Sequence, residues 1–327
     1  MSKQRLCVAM CTYNGAAYLQ AQLDSIASQT RLPDELVVCD DRSQDDTTAI
    51  IQAFAAKVPF PVRLSTNEAK LGTTKNFEKA ISLCAGDIIA LADQDDVWHV
   101  EKLMHLETVF NQSPQVGAVF TDAQVVDERL NPLGHTLWES IAFNRDEQRR
   151  LAGGEALQVL LKHQVVTGAT LAFHARFREL ILPIEGDRLH DQWIALLIST
   201  VADLALIDRP LIQYRQHSGQ QVGAGDGAQA LGDEVTTALH TARHLYDREI
   251  RYYQQVYERL TERSRPEFPV RKAALSLIQQ RIRHRQARAA LPPSKLLRVP
   301  VVLREMASLR YWHHSNGFKS VIKDLLV

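Results

Sequence analysis

The sequence predicts an α/β protein: a doubly wound, mainly parallel sheet followed by a helical extension at the carboxyl end. Three observations carry this. Short apolar runs at 6–11, 35–39, 62–65 and 87–92 alternate with segments whose apolar residues recur at helical spacing, and such alternation builds parallel sheets. The first two runs and the last end in polar turns, where open sheets bind ligands beyond the carboxyl ends of their strands. From about residue 228 the pattern is helical, with breaks at 266–269, at 292–293 and at Pro300.

Taken in order, the run at 6–11 ends at Thr12-Tyr13-Asn14-Gly15, and Tyr18, Leu19, Leu23 and Ile26 then mark a helix. The run at 35–39 leads through an acidic turn at 40–46 to a helix at 47–56, followed by a strand at 62–65 and a helix at 74–84. The strand at 87–92 runs into Asp93-Gln94-Asp95-Asp96. A helix is expected over 97–112, then strands at 116–121 and 124–127. Residues 131–154 are polar and broken by Gly153-Gly154, and predict a mobile, acceptor-facing region. A helix at 155–163 precedes a strand over 165–173 that is interrupted at Gly168, a sign of a bulge or of close approach by a ligand. Arg188 to Trp193 opens an apolar helix reaching 201, with Asp191 in its first turn. Strands at 205–207 and 211–215 follow, and Gln216-His217-Ser218-Gly219 leaves the sheet. The expected division is a catalytic domain at 1–227, with halves at 1–115 and 116–227, and a basic helical region at 228–327.

The 327 residues are 45% hydrophobic, enough for a real core, and the formal net charge is zero. The charge is unevenly spread: residues 241–327 carry 18 Lys+Arg and 7 Asp+Glu, net +11, which leaves 20 and 31, net −11, for residues 1–240. A basic appendage of this kind suits anionic lipid headgroups or polyphosphate, or else docks onto the acidic body; nucleic acid is not an expected partner. No run has the length of a membrane span, and residues 1–15 lack a signal peptide's apolar region. A cytoplasmic protein is expected. Cys7, Cys11, Cys39 and Cys84 form no C-x-x-C pair and read as buried free thiols.

Three carboxylates in four residues repel one another. Either a hard divalent cation sits among them, or Asp95 or Asp96 caps a helix beginning near Val97. Thr12-Tyr13-Asn14 and Asp40-Asp41 follow adjacent strands and should lie side by side, where a carboxylate can accept the imide N–H of a pyrimidine and Tyr13 can offer a stacking face. There is no Gly-rich phosphate loop. A pyrophosphate would therefore need another counter-charge, which a cation at Asp95 would supply.

CTYNGAAYL, VVCDDRSQDDT, LGTTKNFEKA, GDIIALADQDDVW, VTGATLAF, HDQW and PLIQYRQHSG occur in this order over residues 4–220. The series resembles the family 2 glycosyltransferases of the GT-A fold, and ADQDDVW with HDQW and YRQHSG is similar to the bacterial rhamnosyltransferase-like branch. The resemblance implies that Asp41, helped by Thr12, Tyr13 and Asn14, contacts the base, that Asp93 contacts the ribose, and that Asp95 coordinates Mn²⁺ or Mg²⁺ on the diphosphate. Asp96 ranks below these as a ligand or cap. Asp191 matches the catalytic base, removing the acceptor's proton as its oxygen displaces the diphosphate in line and inverts the anomeric carbon. A helix amino terminus is expected to lower the pKa of Asp191. His217 is either a further metal ligand or a surface histidine, and Lys75 either reaches the diphosphate or faces solvent. Trp98, Gly168, His190 and Trp193 are the candidates for acceptor contact, although both tryptophans also suit the core.

The implied donor is dTDP-rhamnose, or alternatively a UDP-hexose or UDP-N-acetylhexosamine. The implied acceptor is a surface polysaccharide or lipid-linked glycan. The Gln-x-x-Arg-Trp signature of the family's processive polymerases is absent, which favours one sugar per encounter. A sugar nucleotidyltransferase, the rival from another class, would need a basic Gly-rich loop near 12–17. Residues 296–327 mix apolar and basic groups and suit an interfacial helix starting at Pro300, on the inner face of a membrane, or else packing or self-association.

Overall fold

The computed structural model describes residues 4–185, 189–218, 235–292 and 294–326, with side chains from residue 245 onward in the third of these segments. Its first half follows the periodicities to within a residue or so: β1 (Leu6–Thr12), α1 (Ala16–Ala27), β2 (Glu35–Asp40), α2 (Thr47–Ala55), β3 (Val62–Thr66), α3 (Thr73–Leu83) and β4 (Ile88–Ala92). β1, β2 and β4 are buried along their whole length. Their side chains alternate between two cores, as the pleat requires. Leu6, Val8, Met10, Leu36, Val38, Ile88 and Ala90 face α1 through Leu19, Leu23 and Ile26. Cys7, Ala9, Cys11, Val37, Cys39, Ile89 and Leu91 face Phe77, Ile81, Trp193 and Ile194. The four cysteines are buried and free.

After β4 come β5 (Val97–Trp98), α4 (Lys102–Gln112), β6 (Val116–Val126), β7 (Pro132–Thr136), α5 (Leu137–Ser140), α6 (Arg145–Arg150), a wide turn at Leu151–Glu155 and α7 (Ala156–Lys162). A tight turn at Gly168–Thr170 enters β8 (Leu171–His174); α8 (Arg178–Ile181), α9 (His190–Ser199) and β9 (Asp203–Arg215) complete this part. The helices α10 (Val235–Glu262), α11 (Lys272–Ala289), α12 (Lys295–Ala307), α13 (Arg310–His314) and α14 (Phe318–Leu326) follow. The sheet order is β3-β2-β1-β4-β8-β6-β9-β5, with β7 beside β6. Pairing is parallel from β3 to β4. Beyond β4 it is mixed, β8 running antiparallel to β4 and β6, and β6 parallel to β9.

Several expectations are corrected. The helix expected over 97–112 begins only at Lys102, because Val97 and Trp98 pair with Gln213 and Ile212 of β9; β-branched and aromatic side chains fit that half-buried position. Neither Asp95 nor Asp96 caps a helix there. Residues 131–154 are folded. Leu137, Trp138 and Phe143 are buried, Trp138 and Phe143 meet edge to face at 5.2 Å, and the polar residues that read as loop are caps, Thr136 with Glu139 on α5 and Asn144 on α6. The strand expected over 165–173 pairs only from Leu171. The two strands expected at 116–127 are one strand, β6, bent by irregularities around Asp122, and those at 205–215 are likewise one, β9.

Pro300 lies inside α12 rather than at its start. Its missing N–H frees only the carbonyl of Leu296, and both residues are exposed, so water can satisfy that group. α10 packs on α9, with Tyr252 meeting Trp193 edge to face, and α11 packs on α10 and α7; Tyr252, Val256, Leu260 and Ile278 join the same buried core. Arg265 and Arg271 reach Glu179 and Asp203 at 3.2 and 3.0 Å. Part of the basic region thus docks onto the acidic body. The expected boundary at 227/228, Arg188 and Gly219 lie outside the described residues.

Candidate active site

The topology brings the polar turns together. Thr12 is level with Asp40 and Met10 with Ala92, so the turns after β1, β2 and β4 leave the same edge of the sheet. β8 runs antiparallel beside β4, so the Gly168–Thr170 turn that enters it lies at that edge too. β9 delivers Arg215 and His217 against the acidic turn: Asp96 Oδ1 accepts from Arg215 N at 3.1 Å, the Asp95 carbonyl from Arg215 Nε at 2.6 Å, and Asp95 Oδ2 lies 2.9 Å from His217 Nε2.

Asp191 joins from α9. Its Oδ2 accepts the Gly168 N–H at 2.9 Å and its Oδ1 the Gln192 N–H at 2.6 Å. His190, beside it, is buried and stacks on Phe77 with ring centroids 4.0 Å apart, and neither ring nitrogen has a hydrogen-bond partner. Gly168 is required by this packing, since a Cβ there would lie 2.6 Å from His190 Nε2. The close approach read from Gly168 is therefore made by a histidine of the chain itself.

The carboxylates feel one another. Burial, then the charges of Asp95 and Asp191, push Asp93 up to about 7. Asp96 is raised well above the carboxylate range, chiefly by burial, and its Oδ2 has no hydrogen-bond partner. Burial raises Asp191 to about 6 in spite of its two backbone donors. The lowering expected from the helix terminus is thus outweighed by desolvation. Burial alone takes His190 down to about 3, leaving a neutral imidazole.

Comparison with known proteins identifies the family. Residues 7–169 match the model of glycosyl transferase family 2. The chain belongs to that family. A dTDP-rhamnosyl transferase, RfbG of Shigella flexneri, is 25% identical over 229 residues, which cover 66% of this chain and 74% of the relative. An uncharacterized glycosyltransferase of Nostoc sp. is 30% identical over 115 residues, 35% of each chain. The match thus spans about a third of the length of the first curated relatives. The crystal structure of S. aureus TarS in complex with UDP-GlcNAc superposes with a TM-score of 0.59 at 14% identity, covering 98% of this chain and 89% of that one. The shared fold is that of the GT-A glycosyltransferases.

Within this family 2 chain the expected residues fall into two groups. Thr12, Tyr13, Asn14, Asp41, Asp93, Asp95 and His217 lie on the turns and strand ends gathered at one sheet edge, and Asp191 meets them from the first turn of α9. Thr12 Oγ1 donates to Asp40 at 2.9 Å, the Asn14 and Ser43–Gln44 turns are cross-linked at 2.8 and 2.9 Å, and Lys70 Nζ covers the Tyr13 ring at 3.6 Å. Asp41 accepts from Asn67 Nδ2, Leu71 N and Gly72 N at 2.7–2.9 Å, so its carboxylate shapes the 67–72 loop.

Three of the candidates have other partners in the structure, and the two tryptophans take the core alternative. Lys75 donates to Glu78 Oε2 and the Ile184 carbonyl, both at 2.7 Å, and so braces the segment before α9. Trp193 is fully buried, with Nε1 donating to the Ile181 carbonyl at 2.7 Å. Trp98 is 3% exposed beneath Lys102. Neither tryptophan offers a face to an acceptor.

Sequence reasoning missed Gln94, whose amide grips both the N–H and the carbonyl of Tyr13 at 2.8 and 3.0 Å, and it missed Lys102 and Arg215. Gln94 had a signal, its place between two aspartates. Lys102 had none, because a lysine early in an amphipathic helix reads as solvent-facing.

Among the described residues, no three His, Cys, Asp or Glu side chains are spaced to hold a metal ion. Asp95 and His217 offer one carboxylate and one imidazole, and Asp96 has an unpartnered buried oxygen nearby in the same turn. Such a two-residue set fits a divalent cation that takes its other ligands from phosphate and water.

Proposed function

We propose that this glycosyltransferase moves one sugar, with inversion, from a pyrimidine nucleotide diphosphate to a hydroxyl of a bacterial surface polysaccharide or lipid-linked glycan. One observation carries the reading. Asp191 stands at the acidic turn close enough for its charge to act on Asp93, although 98 positions separate them in sequence. A buried carboxylate raised to about 6 is ionised at neutral pH yet basic enough to take a proton from an attacking hydroxyl. The Gly168 N–H holds one of its oxygens and fixes its aim.

Asp95 and His217 would hold a Mn²⁺ or Mg²⁺ ion, which, when bound, neutralises the leaving diphosphate. Thr12, Tyr13, Asn14 and Asp41 would form the base pocket, with Asp93 on the ribose. The relative named as a dTDP-rhamnosyl transferase supports dTDP-rhamnose as the first donor to try, with UDP-hexoses as the alternative. Gly168 and His190 remain the proposed acceptor-side residues, His190 as a neutral wall. The expected place of work is the inner face of the membrane. No described helix is long and apolar enough to cross one. The test is a thermal-shift screen of dTDP-rhamnose, UDP-glucose and UDP-GlcNAc with and without Mn²⁺. Stabilisation that needs both sugar nucleotide and metal supports the reading, and a flat response to all three overturns it.

A further inference from the structure

Among the described residues, Lys102 is the one lysine that is fully buried. An ammonium ion loses its hydration there, and a Leu or Met would fill the same space without that penalty. The amine is nevertheless placed with care. Nζ donates to the Ala169 carbonyl at 2.9 Å and lies 3.5 Å from the centroid of the Trp98 ring, a cation–π contact that partly replaces water. Burial moves Lys102 well below the usual lysine range, and the charges of Asp96 and Asp93 act the other way.

Ala169 is the middle residue of the Gly168–Thr170 turn, and the Gly168 N–H is the donor that holds Asp191 Oδ2. On the far side His190 leaves no room for even a methyl group on Gly168. The turn is therefore pressed by His190 from α9 and tied by Lys102 from α4. We propose that Lys102 is a positioning residue for glycosyl transfer, fixing the Gly168–Thr170 turn and through it the aim of Asp191. This rests on Asp191 being the base.

The test is a double-mutant cycle on the full chain, using Lys102→Met, Asp191→Asn and both together. It reads release of nucleoside diphosphate from whichever of dTDP-rhamnose and UDP-glucose the wild type turns over with Mn²⁺. Lys102→Met should lower kcat at least about tenfold while leaving donor KM within about twofold, and should cause no further loss in the Asp191→Asn background. Lys102→Gln, whose amide can still donate to Ala169, should recover part of the loss. Unchanged kcat in Lys102→Met, or losses that multiply in the double variant, would overturn the proposal. Failure of both Lys102 variants to fold would also overturn it, by assigning the lysine to the scaffold. If Asp191→Asn alone keeps full turnover, the base assignment fails first, and the cycle separates that result from failure of Lys102.

Discussion

Desolvation decides the chemistry of individual residues at this site. Asp191 has two backbone donors and a helix terminus in its favour as an anion, yet burial outweighs them and lifts it to about 6. Two predictions follow from the sign of that shift. Turnover should rise with pH through about 6 as the base ionises, a limb that Asp191→Asn would abolish. The stability contribution has the opposite slope. Between the ordinary value of 3.8 and about 6 the folded chain holds a proton that the unfolded chain has released, so stability falls as pH rises across this window. Urea denaturation of wild type and Asp191→Asn between pH 4 and 7 checks it, the variant losing that part of the slope. For the cation, Asp95→Asn should remove Mn²⁺-dependent binding of UDP or dTDP without unfolding the chain. Calorimetry showing wild-type affinity would exclude Asp95 as a ligand.

Legibility at the level of elements tracked how local the determinants were. β1, β2 and β4 are continuous apolar runs and the helices between them have one apolar stripe, so both were readable from spacing. β5 was not, since two residues carry no periodicity and Val97-Trp98 becomes a strand only by meeting β9. Residues 131–154 misled because capping residues and loop residues are the same polar types. The Asp turns and Asp191 were legible because charge clusters at strand ends are unusual, whereas Lys102 was hidden by its ordinary position in a helix. The structure packs 131–154 into the main core, with Trp138 3% and Phe143 2% exposed and both against Phe120 of β6. Trp138→Ala or Phe143→Ala should therefore cost about 3–5 kcal/mol in urea denaturation. A loss below about 0.5 kcal/mol, the size of an ordinary surface change, would restore the mobile-loop reading.

Across the whole molecule, the basic carboxyl region divides its work. Arg288 pairs with Asp324 at 2.7 Å, Glu305 with His284 at 2.8 Å and Arg310 at 2.7 Å, and Arg265 and Arg271 bind the catalytic part, so much of the positive charge is structural. Exposed apolar groups are concentrated here: Leu296 is 83% exposed, and Phe318, Ile322 and Leu326 stand at 63%, 53% and 61% on one stripe of α14 beside exposed Lys319 and Lys323. Such a stripe suits an anionic interface. The 327-residue chain should co-sediment with anionic vesicles and lose that association at high salt, while Ile322→Glu with Leu326→Glu should bind less. Equal binding to neutral vesicles would contradict this arrangement.

The central claim is that Asp191 acts as the base at a metal-assisted donor site. Its most direct test compares wild type and Asp191→Asn for donor binding by calorimetry and for single-turnover sugar transfer on the same preparation. The predicted result is unchanged affinity for the nucleotide sugar with Mn²⁺ and a loss of roughly 10²–10⁴-fold in the transfer rate; a variant that binds and transfers at near wild-type rate would contradict it.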